Sequence, residues 1–473
     1  ILRRWRRHLK EGGTRDTLIK MTEPLGGRWV LLVDHGGAIW LFNDPCGCRQ
    51  VFYTRGTTGP LWCTSEPGLL AELLHLSMDH EARRFFRRYR RRMPQYFWPG
   101  DTSPFKEIRH LQPNHFLDLQ TGQSHRFWPD ADLPAREPRE VVEESARLLQ
   151  GMIESASRRF DLSLTLTAGR DTRVILAASK AVCDRLFLYA MMYWDLNWNS
   201  ADIQIPAKLL SHFGMAHHVI VCPPRMDRDF RQIWRRHVVT AHDTYGPIVQ
   251  AECAKYPAGK VQMSGTIMPI TSWCFRQILD SRHPEWNQEK PHVEMLTWLT
   301  YREDDFSRKA IGRWLAGVVP RGVPILDLFY WEEEEGNWGA MTLAEWDLAH
   351  ESFIPYNCRR FLMSGLSTPA SFREQPDYLF HEALIRRMWP ELLKEPFNPP
   401  VATTRVFAAA KRLGQLQDKI RRNPRLAIFT DAASAYQRHP WLTSLDRLIS
   451  RHPLGQAARA RNEVASVPPT IES

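Results

Sequence analysis

The sequence has no long hydrophobic run. No stretch approaches the roughly 18 uninterrupted apolar residues that a membrane-spanning helix requires, so no membrane partner is expected. Its start, Ile1-Leu2-Arg3-Arg4-Trp5-Arg6-Arg7, lacks the apolar centre of a secretory leader, and a cytoplasmic location is expected. The first residue is Ile1 and not Met, so further residues upstream of it are expected. Cysteine is scarce, with 8 residues at positions 46, 48, 63, 183, 222, 253, 274 and 358. That scatter has neither the paired spacing of a zinc site nor the density of a disulfide scaffold, and most of these thiols are expected to be buried and reduced. The signature of disorder is missing too: apolar residues make up 43% and charged residues 25% of the 473 positions. This is an ordinary globular balance, with chain enough for roughly two or three domains.

Acidic residues are outnumbered, leaving a net charge of +10. An excess of this sign raises nucleic acid as a partner, and the run Arg83 to Arg92 interleaves arginine with Phe85, Phe86 and Tyr89. The simplest reading of that run is a solvated helix face with the three aromatic rings turned inward. It carries no nucleic-acid-binding motif, and nucleic acid is not expected as a partner.

What is present begins with strands. Arg28 to Val33 and Ala38 to Phe42 flank Asp34-His35-Gly36-Gly37 and read as a β-hairpin. Extended pieces follow at Gln50 to Thr54 and Leu61 to Thr64, with Thr57-Thr58-Gly59-Pro60 as the turn between them. A helix around Pro67 to Leu76, the arginine run and short strands near Pro113 to His115 and Thr121 to Gln123 complete a region expected to be mostly sheet. Proline and charge mark Pro129 to Pro138 as a linker. Beyond it, Val142, Ala146, Leu149, Met152, Ile153 and Ala156 recur at helical spacing. Then strand Leu162 to Leu166, loop Thr167 to Thr172, a helix from Val174, strand Leu186 to Met191, helix Ala201 to His212 and strand His217 to Cys222 alternate. Such alternation points to a doubly wound parallel sheet. Arg228 to about Asn398 reads as largely helical with one more strand at Lys260 to Met263, and residues 424–473 as a basic tail. The expected division is 1–129, 130–423 and 424–473.

A loop between a buried strand and a helix offers backbone N–H groups and the positive end of a helix dipole, a combination suited to phosphate. Gly169 permits close backbone approach, Thr167 and Thr172 add hydroxyls, and Asp171 is the carboxylate for a magnesium ion. Taken alone, a small polar turn before a helix is more often a cap.

The segment Thr167-Ala168-Gly169-Arg170-Asp171-Thr172 resembles the signature Ser-Gly-Gly-x-Asp-Ser of the asparagine synthetase family. Gly27-Arg28-Trp29-Val30, Asn43 to Arg49, Thr64-Ser65-Glu66 and Leu111 to His115 resemble strands of that family's glutaminase domain. Ser200-Ala201-Asp202, the helix Lys208 to His212 and His217-His218 resemble the segment after its first nucleotide loop. The resemblance implies an α/β fold: an N-terminal β-rich, partial glutaminase-like (Ntn-hydrolase-like) domain, then a doubly wound parallel-sheet ATP-pyrophosphatase domain. It implies ATP and Mg2+ as cofactors, and an amide-forming ligase that activates a carboxylate as an acyl-adenylate for attack by ammonia or an amine, as in asparagine biosynthesis. The carboxylate is a small molecule or a peptide, and a homodimer is an assembly the resemblance leaves open. Asp171 becomes the catalytic and metal residue. Thr167, Ala168, Gly169, Arg170 and Thr172 bind the nucleotide, joined by Ser264 and Gly265 of a second motif.

The chain departs from the family at three places. The N-terminal nucleophilic Cys is not at Ile1, and Cys46 and Cys48 lie in another segment. The second motif, Ser-Gly-x-Gly-x-Asp-Glu, is Ser264-Gly265-Thr266-Ile267-Met268-Pro269 here, without its acids. Ala168 and Arg170 alter the first loop, although Arg170 brings a positive charge. These departures support the alternative of a non-catalytic nucleotide-binding or scaffold protein. Elsewhere, His217-His218 on a strand point to opposite faces and read as packing. Glu332 to Glu335 reads as a solvated acidic patch, and Pro355 to Arg360 resembles a family segment near the acceptor site.

Overall fold

Strands Leu162-Ser163-Leu164 and Leu188-Tyr189-Ala190 are buried on both sides, the Ser163 hydroxyl being paired with that of Tyr256. In the computed structural model, which describes residues 1–399 apart from 55–58, 94, 273 and 302–303, these strands lie at the middle of a five-stranded sheet. The expected turn at Thr57-Thr58 and the tail at 424–473 lie outside the described residues.

Upstream are two antiparallel sheets. One joins β1 (Val30–His35), β2 (Ala38–Asn43), β6 (His115–Asp118) and β7 (Gln123–Arg126) in that order. In the other, β3 (Phe52–Thr54) lies between β4 (Cys63–Thr64) and β5 (Ile108–His110). The hairpin forms as the sequence indicates, closing at His35↔Ala38 with Gly36 and Gly37 both at positive φ. The region is less purely sheet than expected, because helices Leu2–Lys10 and Arg15–Thr22 precede the hairpin. The arginine run is helix His80–Arg92, with Phe85 and Tyr89 buried and the partly buried Phe86 packed on the core.

The large sheet contains β8 (Asp161–Thr165), β9 (Phe187–Met192), β10 (His218–Val221), β11 (Lys260–Met263) and β12 (Ser352–Phe353). All pair in parallel, in the order β10-β9-β8-β11-β12. The chain moves outward from β8 through β9 to β10, then returns to the other side of β8 with β11. The carboxyl ends of β8 and β11 therefore flank the topological switch point, where open α/β sheets leave a crevice. Helix Pro138–Ser157 starts with Pro at its first turn and buries Val142, Ala146, Leu149, Ile153 and Ala156 on one face. Helix Arg170–Ala178 is buried from Arg173 to Ala178. Each buried Val, Leu or Ile among these contributes roughly 1.5–3 kcal/mol.

Residues 1–399 form one compact unit. The segment expected to be a linker is tethered within it, Leu133 N–H donating to Arg321 O and Arg136 N–H to Ser367 O, both at 2.9 Å. Two further expectations are corrected. Of the seven cysteines whose side chains are described, only Cys46, Cys48 and Cys358 are buried, while Cys63 and Cys253 are exposed, and none forms a disulfide among the described residues. Glu332 to Glu335 is not a solvated patch: Glu332, Glu333 and Glu335 are buried in a π-helical stretch, Tyr330–Gly339. Four successive positions sweep around a helix, so a helix covered on all sides must take acids inside. Arg126 grips Glu332 with two bonds of 2.5 and 2.7 Å, and Asn114 Nδ2 and Trp314 Nε1 each donate to it at 2.7 Å. Glu333 accepts from Gly100 N–H, Gln112 and the Tyr301 hydroxyl.

Candidate functional site at the carboxyl edge of the parallel sheet

The chain leaves β8 as Leu166-Thr167-Ala168-Gly169 and turns at once into helix Arg170–Ala178. Asp171 and Thr172, read from sequence as loop residues, stand in the first helical turn. Gly169 is the N-cap and contributes no side chain, so no side-chain cap covers the helix N-terminus. The turn is held internally. Thr167 N–H donates to Thr172 Oγ1 at 3.3 Å, and Gly169 N–H donates to Thr167 Oγ1 at 3.1 Å. Ala168 N–H donates to Asp202 Oδ1 at 3.0 Å. A carboxylate from the start of helix Ala201–Ser211 thus already accepts from one amide of the turn.

The second segment, after β11, meets the first. A Cβ built on Gly265 would lie 2.9 Å from Asp171 Cβ and 3.2 Å from Thr172 N, so only glycine permits the approach. Two residues on, Ile267 is buried with φ +82° and ψ −32°. That conformation is costly for a β-branched residue, and such strain gathers at binding sites. The Glu335 carboxyl accepts from the Ile267 backbone; burial above all, then Glu334 and Asp171, pushes its pKa up to about 8.

Asp171 is half-buried and anchored at two points. His381 Nε2 lies 2.9 Å from Asp171 Oδ1, and since an ionised carboxylate only accepts, the imidazole nitrogen donates. The Tyr356 hydroxyl donates to Asp171 O at 2.6 Å, which places the Pro355 to Arg360 segment against the loop. Arg170 is drawn to aromatic faces, 4.6 Å from the Tyr378 ring centre and 5.0 Å from that of Phe397. The wholly buried Arg173 donates to Glu395 O at 2.5 Å and Pro396 O at 2.9 Å, and lies 4.1 Å from the Phe397 ring centre. With Asn398 N–H on Ala168 O, these contacts strap residues 395–398 onto the turn.

A cavity of about 350 Å³ opens beside the two segments. Thr165 and Thr167 line it from β8 and its loop, Gln262, Ser264 and Thr266 from β11 and its loop. Of the residues singled out from sequence, Thr167 and Ser264 line this cavity; Ala168, Gly169, Arg170, Asp171, Thr172 and Gly265 do not. Among the described residues no group of three or more His, Cys, Asp or Glu is arranged to hold a metal. The carboxylates at the turn are Asp171 and Asp202. Magnesium commonly takes one or two protein carboxylates and completes its shell with phosphate and water, so this donor set fits a nucleotide-borne ion and not a protein-only cage.

Sequence reasoning missed His381, 210 residues from Asp171, and Glu252, which lines the cavity. For Glu252 a signal existed: Tyr245, Ile248 and Glu252 recur at helical spacing and share one face. Cys46 and Cys48 are wholly buried with pKa values raised by burial, so neither is a nucleophile poised for attack. His218 stacks on Phe187 with ring centres 4.5 Å apart. No helix among the described residues is long and apolar enough to cross a membrane. No protein-family model matches the chain, and no curated protein sequence matches it.

Proposed function

We propose that the chain is an ATP-dependent, amide-forming ligase of the asparagine synthetase type, activating a carboxylate for attack by ammonia or an amine. The observation that carries this reading is the meeting of the Thr167 to Thr172 turn with Ser264-Gly265 at the switch point between β8 and β11. The uncapped N-terminus of helix Arg170–Ala178 suits an anion such as the pyrophosphate portion of ATP. Asp171 and Asp202 would hold Mg2+, which would supply charge neutralisation on phosphate oxygens. His381 and Tyr356 fix Asp171 in place.

A second reading, a nucleotide-binding scaffold without turnover, is favoured by the Asp202 carboxylate on the Ala168 amide and by the acid-free segment Ser264 to Pro269. Two measurements separate the readings. Calorimetry with MgATP asks whether nucleotide binds, and pyrophosphate release in the presence of candidate carboxylates and ammonia asks whether it turns over. Release that disappears in Asp171→Ala supports the ligase. Binding without release supports the scaffold, and neither binding nor release removes both.

A further inference from the structure

The same cavity has features that a phosphate turn does not call for. Five aromatic side chains line it: Tyr193 and Trp194 after β9, Tyr245 at the start of helix Gly246–Lys255, and Trp338 and Trp346 beyond the buried glutamates. The Trp194 and Tyr245 rings are within 16° of parallel with centres 6.3 Å apart, and Trp194 stays 62% exposed at the rim. Among the described lining residues there is no Lys, Arg or His; the carboxylates are Asp202 and Glu252. Asp202 is engaged by the Ala168 amide.

Glu252 is 2% exposed. Its Oε1 accepts from the Tyr189 hydroxyl at 2.9 Å, and His350 Nε2 lies 3.5 Å from the same oxygen. Its Oε2 has no hydrogen-bond partner among the described residues, and neither do Thr342 Oγ1 and Ser352 Oγ on the same wall. A buried carboxylate oxygen without a donor is costly, and a ligand that brings N–H donors and positive charge removes that cost. Aromatic faces add their own attraction for a cation once water is displaced. A ligand carboxylate, by contrast, would meet Glu252 with no cation on the wall to offset it.

From these features we propose that the cavity is a binding site for an organic ammonium ligand, its charged nitrogen on Glu252 Oε2 and its apolar body against Trp194, Tyr245 and Trp346. The volume is that of a small-molecule site. The inference goes beyond the ligase reading and stands or falls separately from it, because it concerns binding without nucleotide.

The test is calorimetric titration of the full chain, without ATP, with benzylamine, benzyl alcohol and benzoate at neutral pH, where only the amine is cationic. Benzylamine is expected to bind at least about tenfold more tightly than the alcohol, and benzoate more weakly than either. Glu252→Gln keeps an acceptor for Tyr189 and is expected to erase the preference for the amine. Trp194→Ala, at an exposed position, is expected to weaken benzylamine while leaving the melting temperature unchanged. Equal binding of amine and alcohol to the unaltered protein, or no amine binding at all, overturns the proposal even if Glu252→Gln does not fold. Amine preference retained in folded Glu252→Gln overturns it as well. MgATP titrated separately reports on the ligase reading, so failure of one leaves the other standing.

Discussion

The Cα of Gly265 packs against the side chain of Asp171 so closely that a methyl group there would sit 2.9 Å from Asp171 Cβ. The neighbours on that side include Thr172 N, which is backbone and cannot rotate away. Gly265→Ala is therefore expected to push the two segments apart. Overpacking of this kind costs about 1–3 kcal/mol, read as a lower urea midpoint, and the MgATP affinity should fall with it. An unchanged midpoint would mean that the two segments do not touch in solution.

The glutamates of the π-helical stretch make stability depend on pH in a defined direction. Glu333 and Glu334 are pushed up to about 7 and Glu335 to about 8, in each case first by burial. The folded state then holds protons that the unfolded chain has already lost, so stability declines as pH rises from 6.5 to 8. His110 and His115, driven down to about 4 chiefly by burial, act in the opposite sense, but only below their ordinary 6.5. Glu335→Gln mimics the protonated acid and should flatten the decline in melting temperature across pH 6.5–8. A slope identical to that of the unaltered protein would rule out Glu335 as a contributor.

Glu332 behaves differently from its neighbours. Burial opposes its charge, but Arg126 above all overcomes this and holds the carboxyl below the ordinary range. Arg126→Met would remove the bidentate partner of that buried charge and leave it the hydrogen bonds from Asn114 and Trp314. A loss of roughly 3–5 kcal/mol is expected by chemical denaturation, with much of it recovered in Arg126→Met/Glu332→Met. If the double variant is no more stable than the single one, the pair is not the source of the loss.

Much of the parallel sheet was legible because its signals are local. Leu162 to Leu166 alternates leucine with Ser163 and Thr165 at strand period, and Gly169 separates it from a fresh apolar stretch; the structure places β8 and the helix there. The hairpin at Gly36-Gly37 was legible for the same reason. The two-residue β12 carries no periodicity, and only β11 beside it makes Ser352-Phe353 a strand. The burial of Glu332 was hidden because its partners lie 206 and 218 residues away in the sequence. The position of Thr167 and Ser264 on one cavity was foreshadowed by motif, whereas His381 and Glu252 reach the site only through tertiary packing.

Asn357 is wholly buried and bonds three ways into the hairpin half: its amide nitrogen to Gly27 O and Asp44, its oxygen to Cys46 N–H. The residue just before it, Tyr356, holds the Asp171 carbonyl. Two consecutive residues thus fasten the β-rich half to the turn after β8. A disturbance at the Asp44 to Cys48 corner has a hydrogen-bonded route of one peptide unit, Tyr356 to Asn357, to the Asp171 backbone.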